Sequence, residues 1–375
     1  MQRKTRTAPR LLRALGAAVV TLAALAPAAQ AQTSDPFAAL PESDVVFVVD
    51  VHRALTEVVP RVLASDQKTL VQMNTGIDGL KALTGVDLRA ARRLVVGLRG
   101  FSPQMKAENL QAVAVLEGLD TAKLLAFLQT AKKGQYREQD YQGTTVYTIL
   151  TDNDKPINPN VEFAALDGTT LIAGTPAELR AGLDARAGRG ARANADLVSA
   201  ASRHTDAVLS VALVVPESLK QMIANSGTRS GGSSDPTSQM IGQALAAVTM
   251  VNLAVGLTPN GYNGFVSARL DTGDRAKSLS DMLEGLKTLA LMEPPKDERG
   301  KMLHSILRAT LVSAQGQEVQ IKTEVAQADI TSFIASRQKS TVSVAATPSA
   351  VAPVQKATPR ARKRATTRAR RRARP

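Results

Sequence analysis

The sequence predicts an α+β protein built from two tandem, duplicated units, each of mostly antiparallel sheet packed with helices, followed by a disordered basic tail. Three observations predict this. Ser43–Val51 and Thr205–Val215 both open on an acidic polar pair, continue as a β-branched apolar run of strand length, and pass into a helix-like segment. After each of them the order hairpin, helix, hairpin, helix recurs. From Ser340 onward the composition changes to Ala, Val, Pro, Ser and Thr without a core period, and then to arginine. The expected divisions are a leader at 1–31, a first unit at 32–200, a second at 201–338 and the tail at 339–375.

The leader has a basic opening from Arg3 to Arg13, an apolar run from Ala14 to Leu25, and Ala29-Gln30-Ala31 after Pro27. That is the pattern of a secretory signal with a small-residue cleavage site, and the apolar run is too short to span a bilayer comfortably. No further apolar stretch of spanning length follows, so the expectation is a bacterial protein, periplasmic or secreted, cleaved near Ala31.

In the first unit, Leu55, Val58, Val59 and Val62 share one helical face, with Pro60 placed to kink or shorten the helix. Thr69–Leu83 reads as a second helix ending at Gly85. Arg93–Leu98 and Gln111–Glu117 read as a strand pair, and Asp120 as the cap of a helix bearing Leu124, Phe127, Leu128 and Ala131. Thr144–Leu150 and Val161–Leu166 are strands, and Asp167-Gly168 signals a two-residue hairpin back through Thr169–Ala173. Thr175-Pro176-Ala177-Glu178 has the residues of a capped helix start.

The second unit repeats this with a Ser/Gly/Thr-rich insertion at Asn225–Ser234. Val248–Leu257 and Gly261–Leu270 form a hairpin, and Leu279, Met282, Leu283 and Leu286 mark a helix from about Asp274. Glu293–Glu298 reads as a charged loop. Arg308–Ala314 and Gln317–Val325 make a second hairpin, the latter strand alternating Val319, Ile321, Thr323 and Val325 with polar residues. Asp329 is placed to cap a last helix carrying Ile330, Phe333 and Ile334.

Composition narrows the chemistry. The 375 residues are 44% apolar, enough for a sizeable core, but only 3% aromatic, so platforms for stacking bases or sugars are scarce. The formal net charge of +14 belongs to the ends. Setting aside five basic residues in 1–31 and ten in 341–375 leaves 32 basic against 33 acidic, a neutral body. With no cysteine, disulfides, thiolate catalysis, Cys-ligated zinc and lipid attachment through cysteine are excluded.

His52, His204 and His304 are isolated in sequence, without HExxH spacing, and there is no G-x-S-x-G, P-loop or G-x-G-x-x-G. Two S-x-x-K matches, at Ser65–Lys68 and Ser336–Lys339, lack a later K-T-G strand, the partner a penicillin-recognising serine enzyme needs. The densest set of oxygen ligands is Asp152, Asp154, Asn158 and Glu162, a candidate calcium loop without the EF-hand spacing or its glycine. Asn, Asp and Pro at such density also make ordinary turns. No other cofactor is expected.

In the tail, Arg360, Arg362, Lys363, Arg364, Arg368, Arg370, Arg371, Arg372 and Arg374 can hold polyanions by charge and bidentate phosphate contacts, without a fold. The accessible polyanion for an exported chain is an anionic envelope polymer or lipid. Nucleic acid is the partner only of a chain retained in the cytosol. The alternative reading of the same tail is a solvated segment with no dedicated partner.

Pro41-Glu42-Ser43-Asp44, Gly85-Val86-Asp87, Tyr141-Gln142-Gly143 with Tyr147, and Asp167-Gly168 before Thr175-Pro176 together resemble a family of exported bacterial proteins carrying a domain of unknown function. The resemblance covers about residues 38–335 and implies the α+β layout, with Tyr141–Tyr147 as a strand; it brings no catalytic residues. The expected function is therefore a non-enzymatic envelope scaffold or binding protein with a polyanion-binding tail. The alternatives are an exported hydrolase with a site assembled from scattered Asp, Glu or His, and a nucleic-acid binder. A scaffold needs no pocket of convergent titratable groups, whereas a hydrolase requires one.

Overall fold

The computed structural model describes residues 35–100, 111–131, 135–150, 156, 161–222, 244–295 and 298–332. Its centre is β1 (Val45–Asp50), which pairs antiparallel with β2 (Arg93–Arg99) on one side and β8 (Ala207–Val214) on the other. Outward from β2 come β3 (Gln111–Glu117), β7 (Thr170–Gly174), β6 (Glu162–Ala165), β5 (Thr144–Ile149) and β4 (Tyr136–Tyr141). Outward from β8 come β9 (Val248–Thr258), β10 (Gly261–Leu270), β12 (Glu318–Ala326) and β11 (Leu311–Gln315). Both halves therefore belong to one twelve-stranded sheet.

The repeat expected from the sequence is visible in this order. Reading away from the seam, β1-β2-β3-β7-β6 matches β8-β9-β10-β12-β11, and the first half adds β5 and β4 at its edge. The expected 200/201 boundary falls inside helix α5 (Ala195–Ser202), which packs on β8, β1 and β9 and so spans the seam. Leu311 exposed on β11 and the charged run Arg137–Asp140 on β4 mark the two edge strands. Charges on an edge discourage pairing with another sheet.

After β1, the helical run α1 has three pieces, Val51–Arg53, a π turn Ala54–Val58, and Val59–Val62. Pro60 explains the middle piece. It has no N–H to donate and its ring crowds the carbonyl four residues back, so the helix widens by one residue, with Val59 N–H reaching Ala54 O, instead of breaking. Next is α2 (Gln67–Thr84), capped by Asp66 and ended by Gly85 at φ 70°. Asp120 accepts from Lys123 N at 3.0 Å and starts α3 (Thr121–Ala131) as expected.

Several sequence expectations are corrected. Tyr141 ends β4 and Gln142-Gly143, both at positive φ, turn the chain into β5, so Tyr141–Tyr147 is not one strand; β4 itself, almost wholly polar, carries no apolar run to announce it. The Asp167-Gly168 loop is four residues long. Leu166 N bonds Thr170 O, and the Asp167 carboxylate accepts from Thr169 N at 2.9 Å, an Asx turn in place of the tight hairpin. Helix α4 (Pro176–Arg186) begins where expected, but Thr175 makes no side-chain cap. Its N–H instead extends the ladder to Ala112 O, and buried Glu178 faces Arg99 at 3.8 Å.

After β8 come α6 (217–222), then α7 (Gly273–Met292) beyond β10. The stretch from Glu298 is α8 (Glu298–Ala309), so Arg308 and Ala309 end a helix and β11 starts only at Leu311. The last helical run, α9 (327–332), starts at Gln327; Asp329 is its third residue and accepts from Ser305 Oγ at 3.1 Å. The Pro103 loop and the 225–234 insertion lie outside the described residues.

The main core lies on one face of the sheet. There α4, α5 and the turn Pro36–Ala39 bury Leu179, Leu183, Leu197, Ala200 and Leu40 against Val46, Val95, Val113, Val115, Ile172 and Ala212. Gly182 of α4 permits this approach, because a Cβ there would stand 2.8 Å from Ala39 O and 2.9 Å from Ile172 Cδ1. Asn252 of β9 is buried on this face and donates to Ala200 O at 3.0 Å, tying α5 to the second half. On the opposite face α7 covers β11, β12, β10 and one end of β9, over Val312, Val319, Ala268 and Val251.

This one-sided cover makes a prediction. Leu197→Ala, on the covered face, is expected to cost about 2–5 kcal/mol. Leu253→Ala, on the other face of β9, is expected to cost about 1 kcal/mol or less. Urea unfolding of the two variants checks it.

Candidate functional site

Strands β1, β2, β8 and β9 are apolar on both faces, the pattern of strands covered on both sides. The register places their second face in cross-strand rows. One runs Ile321, Val266, Leu253, Val211, Phe47, Val96, Ala114, Ala173. The next, two residues along, runs Val255, Leu209, Val49, Leu94, Leu116, Leu171. A third, on the other side of the first, includes Val251, Leu213, Val45 and Leu98.

Burial alternates along β2, β8 and β9, whereas on β1 Val45 and Val46 are both buried and partial exposure begins at Phe47. Val46, Val95 and Ala212 on the covered face are 0% exposed, whereas Phe47, Val49, Leu94, Val96, Leu209, Val211 and Leu213 are half-buried and Leu253 is 36% exposed. Neighbouring side chains shield one another, and α7 reaches in as far as Val251 of β9, in the third row, leaving the first two rows across β1 and β8 outside the described hydrophobic clusters. Eight large side chains left partly in water forgo roughly 0.5 kcal/mol each. The total, a few kcal/mol, is a sizeable part of a net stability of about 5–15 kcal/mol.

Helices wall this open face. On one side stands α7, whose uncovered Leu286 and Leu289 continue the stripe of Leu279, Met282 and Leu283. On the other side, Leu116 packs with Val51, Leu88, Leu119 and Leu124. At the lower end, α1 leaves β1 at Asp50, which caps it through Arg53 N at 2.9 Å. Arg61 of α1 donates from Nη1 to Thr258 O at the end of β9 at 3.0 Å, so the helix crosses beneath β8 and β9.

A second concavity, a cleft of about 540 Å³, opens on the covered face beside the end of α5. Among its lining residues are Asp50, His52, Arg53, Arg92, Arg93, Glu117 and His204, so it gathers titratable groups that the sequence shows as isolated. His52 and His204 come together because β1 and β8 are antiparallel neighbours, which strand order alone does not announce. Most of these groups have structural partners. His52 Nδ1 is 2.7 Å from Arg89 O, Arg53 donates to Asp206 O at 2.7 Å, and Glu117 lies 3.9 Å from Arg93. Burial raises the Glu117 carboxyl against the opposing pull of Arg93. Among the described residues neither of these two imidazoles is hydrogen-bonded to a carboxylate. His304 is buried on α8, away from the cleft lining.

Of the candidate calcium ligands, Asp152, Asp154 and Asn158 lie outside the described residues. Glu162 sits on β6, its Oε2 3.1 Å from Arg180 Nη2, and is already in an ion pair. No group of three His, Asp or Glu placed to hold a metal occurs among the described residues. The tail arginines from Arg360 to Arg374 also lie outside them.

No family model matches the chain, and no curated protein matches it in sequence. Solved structures of TP0453 are similar at a distance. Its crystal form III matches at TM-score 0.43 and 8% identity, over 80% of this chain and 98% of that one. Crystal form I matches at TM-score 0.41 and 8% identity, over 81% and 98%. No functional argument rests on a likeness this distant.

The cleft generates a pH prediction. His204 lies against Phe265, with ring centroids 4.2 Å apart and the planes tilted by 51°, and its Nε2 is buried without a partner. Burial holds the imidazole below its ordinary range, with Arg203 and Lys322 pushing the same way and Asp206 opposing. The unfolded chain therefore binds this proton more readily, so stability falls as pH drops below about 6.5. His204→Gln is expected to flatten the urea midpoint between about pH 7 and pH 5.

Proposed function

We propose that this is an exported, non-enzymatic binding protein that works through the open face of its sheet and is held to polyanionic surfaces by its arginine-rich tail. The observation that carries the reading is the central sheet, apolar on both faces and covered by described helices on one. A soluble chain that leaves so wide an apolar surface uncovered marks an interaction site. The leader supports export, and no described helix is long and apolar enough to cross a membrane. The neutral body and basic tail support division of labour, apolar recognition in the sheet and electrostatic attachment at the end of the chain.

The charged cleft favours a second reading, an exported hydrolase. Against it stand the structural partners already taken by Asp50, His52, Arg53 and Glu117. Hydrolysis of ester and phosphoester panels that disappears in Glu117→Gln would establish it.

Two outcomes test the first reading. A polarity-sensitive naphthalene sulfonate dye is expected to brighten on the folded protein, and Leu253→Glu to remove most of that signal while the unfolding midpoint holds; a dark folded protein sinks the reading. Deleting residues 341–375 is expected to abolish salt-sensitive retention on purified envelope, and unchanged retention discards the tether. Stronger retention of the full chain on DNA than on envelope supports the nucleic-acid alternative instead.

A further inference from the structure

We infer that the open face is a fatty-acid site, with the acyl chain lying on the cross-strand rows and the carboxylate held by Arg61 and the Tyr262 hydroxyl. This rests on the reading of the open face as the binding surface and adds the chemistry of its occupant.

The floor selects for hydrocarbon. Leu253, Val211, Phe47, Val96 and Ala114 in one row, and Val255, Leu209, Val49 and Leu94 in the next, include no polar side chain. β9, β8, β1, β2 and β3 are all interior strands, so their backbone groups are taken up in ladders on both sides. A protein partner makes about one hydrogen bond per 100–200 Å² of interface, and this floor offers none. An acyl chain needs none. Phe47 is the single ring among these residues, which suits a flexible aliphatic chain better than a ring ligand that stacks. Five strands at their usual spacing give a trough about 20 Å long, and adjacent rows are about 7 Å apart.

The walls disfavour a second copy of the chain. Sheets pack about 10 Å apart. A helix is itself about 10 Å thick. The walls of two facing copies would therefore meet before their floors did.

The lower end of the trough supplies the head-group site. Arg61 makes no ion pair among the described residues, so its hydrogen bond to the neutral Thr258 carbonyl leaves its charge uncompensated. Thr258 faces Gly261 across the β9–β10 ladder, and the next residue, Tyr262, on the same face of β10 as Val266, is 7% exposed with its hydroxyl buried and without a partner. Burial raises the Tyr262 phenol, and the Arg61 charge opposes that shift. A cation without an ion pair among the described residues and an unused buried hydroxyl, both at the Thr258 end of the apolar rows, complement one carboxylate. Two independent features, the bare floor and the unsatisfied pair, thus specify the two ends of one amphiphile.

The experiment is displacement of a fluorescent polyene fatty acid from the purified full chain by palmitate and by hexadecanol. Wild type should bind saturably and release the probe to palmitate. Arg61→Gln and Tyr262→Phe should each weaken palmitate by about tenfold. Both should leave hexadecanol nearly unchanged, a split that a merely structural effect does not produce. Leu253→Glu should weaken both competitors, and Val71→Glu, at an exposed site on α2, neither. Photolabelling of wild type with a diazirine palmitate covers the case of a variant that fails to fold: label on peptides of β1, β8 or β9 supports the site, and label elsewhere overturns it. Absence of displaceable binding, equal losses for palmitate and hexadecanol in Tyr262→Phe, or binding to phospholipid vesicles alone overturns the fatty-acid site. If the dye signal survives while palmitate fails to bind, the open face stands as a binding surface and only its occupant is wrong. A dimer that Leu253→Glu splits likewise overturns the fatty acid as occupant and keeps the open face as a binding surface.

Discussion

The pairing of β1 with β8 is the constraint on which the rest of the structure depends. It turns the first strand of each half from an edge into the middle of a sheet, with a hydrogen-bonded neighbour on both sides. It sets the halves antiparallel about a common seam, which puts the corresponding strands in mirrored order on the two sides. It also brings α5 to lie across both halves, with Asn252 reaching from the second half to the Ala200 carbonyl in that helix.

The two faces of the seam have different fates because of what the chain lays on them. Gly182 lets α4 come down onto Ile172, and α5 brings Leu197 and Ala200 onto the central strands, so one face is close-packed. The opposite face has comparable side chains but its described helices stand at the margins. The contrast between Val46 and Phe47, adjacent residues of one strand, is one of cover and not of hydrophobicity. Here local sequence preference and tertiary cover disagree, and such disagreements tend to fall at functional surfaces.

Much of the frame was legible from residues. The apolar runs Val45–Val49 and Val208–Val214, the Asp120 cap and the Asp167-Gly168 turn all mark elements near their true positions. Strand β4 was not legible, because an edge strand of Tyr, Arg, Glu, Gln and Asp has neither alternation nor a buried face. Helix α8 was hidden behind Pro294-Pro295 and a run of charge, though Met302, Leu303, Ile306 and Leu307 recur at helical spacing. The candidate site was legible only in half. The double-faced apolar strands are in the sequence, but which face stays open depends on helix placement, and the meeting of Arg61 with Tyr262 joins residues two hundred positions apart through the path of α1 across the sheet.

The seam also dictates an order of events as the polypeptide emerges from its N-terminus. Val45 finds Leu98 after some fifty residues, but its other neighbour, Leu213, is synthesised far later. Until then β1 is a bare, strongly apolar margin on a half-built sheet, the kind of margin that recruits stray strands. A nascent chain must pass through that window, and closure over so long a loop is slow. Arrival of β8 caps that margin, so the second half shields the first as well as extending it.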